Sequence, residues 1–587
     1  MTIFWLSNSY VKEIMTMCGL VWVSHETAAE IAPAALRRLQ YRGYDSFGFA
    51  WPDAQGMTGS RSLEDLRDFQ QVLPKSSMVL AHTRWATHGT VSLENCHPHR
   101  DAAGRFALAH NGIASNHAEF AQQSELPVDV SDTAVLSQYF AALLDQGCTP
   151  EAAFDHVVTR LQGRNALVVM MASGEVFAYR SGSPLVLVQL QGGFGLASDV
   201  LALGCETIAC CPLADHARVV FRDNQILVNE EVPSWQALQI EQFVPDVAVD
   251  FAHRAGHFMR QEILEQWRTV TLPVPDSDMT TRLKVLLRGK KRLLITGAGG
   301  AGIVAQQIAH LVSVRGKVSA LGISACEFAY QKAHSDQACL LAISQSGETA
   351  DTLVAIEEAK SWGMPVISLV NMPFSTMSQV ADLSFELGAG PEQCVLSTKS
   401  ATAQIAFGYW LAGLLAGAAD AANAELRELG VTLSQVLEPG LFDQFQPAVD
   451  YLSDRDTLFL LGRGVHFANA QLGALNLKEA SYIHAEAFSA GELKHGVLAL
   501  VESGTPVILF GLDVDPYMQG VAAELRSRGA VILAVGSTAG DIYLPDPGGG
   551  HLVGEPITCQ ILAFLLARRR GLDPDRPRNL AKSVTVL

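Results

Sequence analysis

Residues 339–352 read CLLAISQSGETADT, and this stretch decides the fold of the second half of the chain. An apolar run short enough for a buried strand ends in a Ser-Gln-Ser-Gly turn, and a helical pattern, TADTLVAIEEAKSWG, follows at once. The turn's hydroxyls and backbone N–H groups converge on a helix N-terminus, which is an anion-binding arrangement. Upstream, LLITGAG, IVAQQIAHLVSVRG and KVSALGIS repeat the order strand, turn, helix, strand, and PVISLVN follows downstream. This alternation predicts a doubly wound parallel sheet. The order returns in TLFLLGRG, NAQLGALNLKEASYI, TPVILFGL, AAELRSRG and VILAVGS, with LLITGAGGAG and LFLLGRGVHF opening the two copies. The sequence therefore carries a degenerate duplication of a whole domain, over 283–425 and 445–570.

The first part has another texture. Between Cys18 and Pro233, short β-like runs (CGLVWVS, SMVLAHTRW, RFALAHNG, NALVVMMAS, VFAYR, LVLVQL) alternate with polar turns and helical stretches such as TAAEIAPAALRRLQ, predicting a layered α/β domain with antiparallel sheets over 18–233. Residues 234–282 read as a connector with helical content, and 571–587 as a tail too polar and proline-broken to be a core element. The 587 residues are too many for one core. A net charge of −18 disfavours nucleic acid and anionic lipid as partners, and no apolar run is long enough to span a bilayer. Ten cysteines without CxxC or metal-ligand spacing, and histidines without a ligand triad, point to a reducing, cytoplasmic setting with no metal.

MCGLVWVS places a cysteine directly after Met17. If synthesis starts at Met17 and the methionine is removed, Cys18 becomes the terminus and its α-amine can take the thiol proton during attack on an amide. Residues 1–17 are then a leader absent from the mature protein. RRLQYRGYDSFGFA, AHTRWATHG, ENCHPH, LAHNGI and SDTAVLSQ follow in one order, and with them the region resembles the class II glutamine amidotransferases, N-terminal nucleophile (Ntn) hydrolases of αββα layers that cleave glutamine to glutamate and ammonia. The resemblance implies Cys18 as nucleophile, the Asn111 side chain and Gly112 N–H as the oxyanion hole, and Arg84 and Asp132 as the grip on the glutamine carboxylate and amino group. By the same resemblance Trp85 gates an ammonia passage, while Thr87, His88 and His97 shape the glutamine site.

The duplicated half, with SQSGETADT, VLSTK, NLKEASYIHAEAFSAGELKHG and RNLAKSVTV, resembles the paired sugar-isomerase (SIS) domains of the glucosamine-6-phosphate synthase family. The expected architecture is thus an α/β multidomain chain, an Ntn hydrolase followed by two doubly wound SIS domains and a functional tail. The resemblance implies phosphate and sugar contacts at Ser344, Gln345, Ser346, Thr349, Thr352 and Ser397. It implies Glu479 as the C1–C2 proton carrier, His495 as the ring opener acting in a neighbouring subunit of a homodimer, Lys582 as the imine-forming amine, and Arg578 as a residue that orders the tail. No added cofactor is implied.

Two departures from the family stand out. Ala298 and Gly299 stand where hydroxyl residues contact the ligand, and Asn476 stands for a lysine one helical turn before Glu479. Neutral asparagine supplies neither a base nor positive charge. The expected reaction joins glutamine and fructose 6-phosphate to give glucosamine 6-phosphate and glutamate. The alternative is a paralogue that aminates another keto sugar phosphate, or aminates without efficient isomerisation. A sensing module is disfavoured by the joint presence of Glu479, His495 and Lys582, and a stand-alone glutaminase by the intact tail.

Overall fold

The computed structural model describes residues 18–85, 90–123, 131–238, 256–271, 275–334, 337–548 and 552–582; the leader through Met17, together with Thr87 and His88, lies outside them. The chain divides into two compact units, one reaching Val244 and the other running from Pro245 to Lys582.

The first unit is built on two antiparallel sheets. An eight-stranded sheet runs in the order Gln236–Ala237, Thr207–Pro212, Val186–Leu190, Gly193–Ala197, Gly19–Ser24, Met78–Arg84, Ser46–Asp53, Gly56–Ser62. A six-stranded sheet runs Gln225–Val228, Arg218–Arg222, Val176–Ser181, Asn165–Met171, Phe106–Gly112, His99–Arg100. Alternation along one strand assigns the layers, because successive side chains of a strand point to opposite faces. Ala107 and Ala109 join Leu20, Trp22 and Leu80 in the core between the sheets, while Phe106 and Leu108 join Phe120, Phe140 and Phe154 beneath the helices His117–Gln123, Asp132–Asp145 and Pro150–Val158. Helix Ala28–Arg38 covers the outer face of the larger sheet. This is the αββα layering.

The second unit contains two five-stranded parallel sheets of identical topology. The first runs Ser319–Ser324, Arg292–Gly297, Ala338–Ser344, Val366–Val370, Leu383–Glu386, and the second His484–Ser489, Thr457–Gly462, Pro506–Leu509, Val531–Val535, Ile542–Leu544. In both, the second strand in sequence lies outside the first, so the winding reverses between the first and third strands, and ligands of such sheets bind at the carboxyl ends on either side of that reversal. In the first copy these ends are Gly297 and Ser344. One continuous core joins both copies and takes in Met259, Ile263, Val270 and Leu283 from the helices that lead into them. The polar tail contributes differently from its reading as a non-core segment. Asp575 is buried and accepts from Phe258 N (3.0 Å) and Met259 N (2.7 Å), closing the start of helix Phe258–Leu264.

Candidate active sites

In the first unit, Cys18 is buried and immediately precedes the central strand Gly19–Ser24, and Asn111 and Gly112 end the facing strand Phe106–Gly112. The Asn111 amide donates to the Cys18 carbonyl (2.8 Å) and to Ser198 Oγ (2.8 Å), and the Trp85 N–H donates to Cys18 Sγ at 3.5 Å. An amide can be turned either way, and here His82 fixes the choice: its Nε2 faces Asn111 Oδ1 at 2.9 Å, which leaves the Asn111 NH2 aimed at the cysteine. Gly112 has φ +134°, and a Cβ there would fall 2.1 Å from the Arg164 carbonyl, so only glycine carries the strand end past this point. Asp132 is tied to the same corner, accepting from Ala114 N (3.0 Å) and Thr133 N (2.8 Å). Arg84 is buried on the strand beside Gly19–Ser24, and Trp85 packs edge-on to Tyr44 with centroids 5.0 Å apart.

His97 stands in a buried stack, 4.3 Å from the His82 ring and 4.9 Å from that of His99. Burial pushes His82 and His99 down to about 3, with Arg61 adding to the effect at His99, and burial with His82 beside it holds His97 well below the ordinary imidazole range. These rings are neutral and set shape and orientation; they are not proton carriers at neutral pH. Since all three take up protons near 6.5 when unfolded but not when folded, their contribution to stability is full above about pH 6.5 and is lost as the pH falls toward about 3. Between pH 6.5 and 5 the first unit should lose stability, about 1–2 kcal/mol for each of His82 and His99, and amide exchange in strand Phe106–Gly112 should accelerate accordingly. Unchanged exchange over that range would contradict the buried neutral stack. His82, His99 and Ser198 were not singled out by sequence reasoning; His82 lies in the quoted AHTRWATHG and His99 in ENCHPH, but only the sheet pairing brings them to Asn111.

In the second unit, Ser344, Gln345, Ser346, Thr349 and Thr352 form one turn and the first turn of helix Ala350–Ser361, at the carboxyl end of strand Ala338–Ser344. Ser344 Oγ meets Thr349 Oγ1 at 3.0 Å and accepts from Gly347 N at 3.0 Å; Ser346 Oγ accepts from Glu348 N at 3.1 Å. Gly347 takes φ +67°, where a Cβ would strike Ser375 Oγ at 2.1 Å. Thr349 makes no side-chain cap, and the buried hydroxyls of Thr352 and Ser375 have no hydrogen-bond partner among the described residues, so donors remain for an anion. The buried Glu348 points its charge elsewhere, accepting from Thr376 N and Oγ1 at 2.7 Å each. In the second copy the corresponding turn carries Asp513 and Asp515; Asp515 caps its own helix at Tyr517 N (2.9 Å) and pairs with Arg463 (3.3 Å). The duplicated turn is thereby filled with acid, which disfavours phosphate there.

The other residues expected at the sugar site continue from that turn. The helix N-terminus at Ala298 and Gly299 lacks a side-chain cap, and the space beside Gly299 is open; the next residue, Gly300, faces Ser397, whose Cβ would lie 3.4 Å from an added Cβ. Ser397 Oγ bonds Ser400 Oγ (3.1 Å), Ser400 Oγ donates to Glu392 Oε2 (2.7 Å), and Lys582 Nζ reaches the same Oε2 at 2.5 Å and the Leu396 carbonyl at 2.8 Å. Lys582 and Glu392 are almost wholly buried, with side-chain exposures of 1% and 0%. Glu479 lies in helix Val465–Ser481; burial pushes it up to about 7, against the opposing charges of Lys582 and Lys478. Arg578 anchors the tail four residues before Lys582: its N–H donates to Tyr482 OH (2.7 Å) and its guanidinium lies over the Tyr482 ring, 4.4 Å from the centroid. Asn476 is buried one turn before Glu479, with neither amide atom partnered among the described residues. His495 is exposed in the short helix Glu492–His495 and takes no part in the Lys582 cluster within this chain. Glu392 was not foreseen, although it lies five residues before Ser397.

The chain matches the family model for class-II glutamine amidotransferases over residues 50–197 and the SIS domain model over residues 286–413 and 451–543. It is 34% identical over 611 residues to a glutamine–fructose-6-phosphate aminotransferase (isomerizing) of Shouchella clausii, covering 97% of this chain and 100% of that one. It is also 34% identical over 612 residues to the protein of the same name from Bacillus subtilis, with the same coverage. Among solved structures, the C-terminal domain of glucosamine-fructose-6-phosphate aminotransferase from Francisella tularensis aligns with 26% identity and a TM-score of 0.48, over 55% of this chain and 98% of that one. With that identity over nearly its whole length, the chain belongs to the glutamine–fructose-6-phosphate aminotransferase (isomerizing) family.

Proposed function

We propose that the protein converts glutamine and fructose 6-phosphate into glutamate and glucosamine 6-phosphate. The observation that carries this reading is a single chain that holds both a cysteine faced by an oriented amide donor and a buried lysine beside an anion turn. Cys18 attacks the glutamine amide while Asn111 and Gly112 stabilise the developing oxyanion, and Arg84 and Asp132 hold the amino-acid end. Removing the donor tests the first step: Asn111→Ala should lower the rate of glutamate release on the order of 10²–10³-fold, and His82→Phe, which frees the amide to turn over, should lower it in the same direction with Asn111 intact.

In the second step Lys582 forms an imine with the open-chain ketose, whose phosphate sits at the Ser344–Thr352 turn. Glu479, poised near neutrality, then carries the proton between C1 and C2. The exposed His495 suits a role in the site of a second copy of the chain, so the working form is a homodimer, and the compartment is the cytoplasm. No described helix is long and apolar enough to cross a membrane. Unpartnered Asn476 and the open space at Gly299 favour one other reading, an amination with inefficient isomerisation or with a different ketose phosphate. Competition among ketose 6-phosphates for amino-sugar formation decides it: fructose 6-phosphate should dominate, and a clear preference for another ketose would transfer the assignment.

A further inference from the structure

Beneath Lys582 lies a second buried carboxylate that the reaction outlined above does not use. Glu262, in helix Phe258–Leu264, accepts from Gln393 N (2.6 Å) and Cys394 N (3.0 Å) at Oε1. Its Oε2 lies 2.6 Å from Thr398 Oγ1, and the same hydroxyl lies 2.9 Å from Glu392 Oε1. A hydroxyl has one proton to give. If both carboxylates were ionised, one of these two short contacts would set lone pair against lone pair. One carboxyl must therefore hold a proton.

The surroundings say which. Glu392 receives Thr398 N and Oγ1, Ser400 N and Oγ, and the Lys582 ammonium, all of which favour its charged form. Among the described residues Glu262 forms no ion pair, the two nearby lysines being held by Glu392 and Glu265. The charged groups around Glu262 are Glu392, Lys582 and Lys399, the last already paired with Glu265 at 2.8 Å, and Cys394 lies against it with Asp575 behind. Burial first, and the charge of Glu392 second, push Glu262 up to about 8, whereas Glu392, opposed by burial, is held below the usual carboxylate range by Lys582 and its hydrogen bonds.

We propose that Glu262 is a positioning residue for the imine lysine: it stands as a neutral carboxylic acid that donates to Thr398, Thr398 donates to Glu392, and Glu392 is left as the ionised carboxylate hydrogen-bonded to Lys582, with Glu479 the other carboxyl near that ammonium. The inference rests on the imine role of Lys582 proposed above. Before attack, an ammonium proton passes from Lys582 to Glu392. The freed amine then forms a C–N bond with the ketose carbonyl carbon, and that proton returns as the C–O bond breaks and water leaves. Ketone and ammonium thus become iminium and water, with total charge unchanged, and the iminium keeps the hydrogen-bonded carboxylate that held the ammonium. An ionised Glu262 would put a second negative charge below the amine, hold its proton more tightly and compete with Glu392 for Thr398.

Glutamine in place of Glu262 copies the neutral acid, with its oxygen toward Gln393 N and Cys394 N and its NH2 toward Thr398. Two measurements on the full chain test the proposal. The first compares urea midpoints of the wild type and Glu262→Gln from pH 5 to 9. A carboxyl whose folded value lies above its unfolded one contributes stability that is full below the unfolded value and is lost as the pH rises through the folded one. The wild-type midpoint should therefore fall relative to the variant between pH 5 and about 8 and then level off; a constant difference would overturn the proposal. The second follows borohydride trapping of fructose 6-phosphate on Lys582 by intact mass. Trapping by the variant should stay within about threefold of wild type at pH 7, and above pH 8 the wild type alone should fall away, by fivefold or more relative to the variant at pH 9. A variant that shares the wild-type decline, or that traps nothing at any pH where the wild type does, overturns the positioning role. Absence of any adduct in both proteins removes the imine role of Lys582 and the positioning role with it, while the midpoint comparison still reports whether Glu262 is neutral.

Discussion

Lys582→Ala will eliminate amino-sugar formation, with a loss on the order of 10⁴-fold or more, as expected when the amine proposed to form the covalent intermediate is removed. Glutamine hydrolysis in the first unit will not require it. The same substitution leaves Glu392 buried without its cation, and breaking a buried pair in this way costs about 3–5 kcal/mol, so loss of activity must be separated from loss of fold. The pair Lys582→Met with Glu392→Gln does this. It replaces a buried ion pair by neutral groups of similar volume, and its stability should return toward that of the wild type while amino-sugar formation stays absent. Recovery of activity in that pair would show that Lys582 acts only through the ion pair.

Cys18→Ala will abolish glutamate release to a comparable extent, because the substitution removes the sulfur proposed to attack the glutamine amide. The substitution removes one buried sulfur and leaves the Asn111 bonds to the Cys18 carbonyl and Ser198 in place, so the change in stability should be small, about 1 kcal/mol. Borohydride trapping of fructose 6-phosphate on Lys582 should persist in this variant, since every residue placed at the sugar site belongs to the second unit. Loss of trapping together with glutaminase would mean that the two chemistries are not assigned to separate units as argued here.

The sequence reveals most of the doubly wound half because each buried parallel strand is an apolar run closed by a glycine or serine turn: CLLAIS and LLITG become strands Ala338–Ser344 and Arg292–Gly297 almost residue for residue. The duplication reappears as two sheets of one topology. The glutaminase corner is legible as motifs but not as geometry. Strand Phe106–Gly112 is buried along its whole length, with helices on one face and a second sheet on the other, so alternation in FALAHNG does not tell which face is which. The carboxylates under Lys582 are the least legible feature. Glu262, Glu392 and Lys582 are separated by 131 to 190 residues in the nearest cross-links, and a glutamate in a helical connector reads as a solvated charge until folding buries it. Tail polarity misleads for the same reason, since Asp575 caps a helix that begins 317 residues earlier.

The most direct test of the whole account is to supply glutamine labelled with ¹⁵N at its side-chain amide together with fructose 6-phosphate, and to follow the label by mass spectrometry of the products. The expected product is glucosamine 6-phosphate carrying the label at its amino group, with glutamate formed in equal amount. Glutamate with all the label left as free ammonia, and no labelled amino-sugar phosphate, would contradict it.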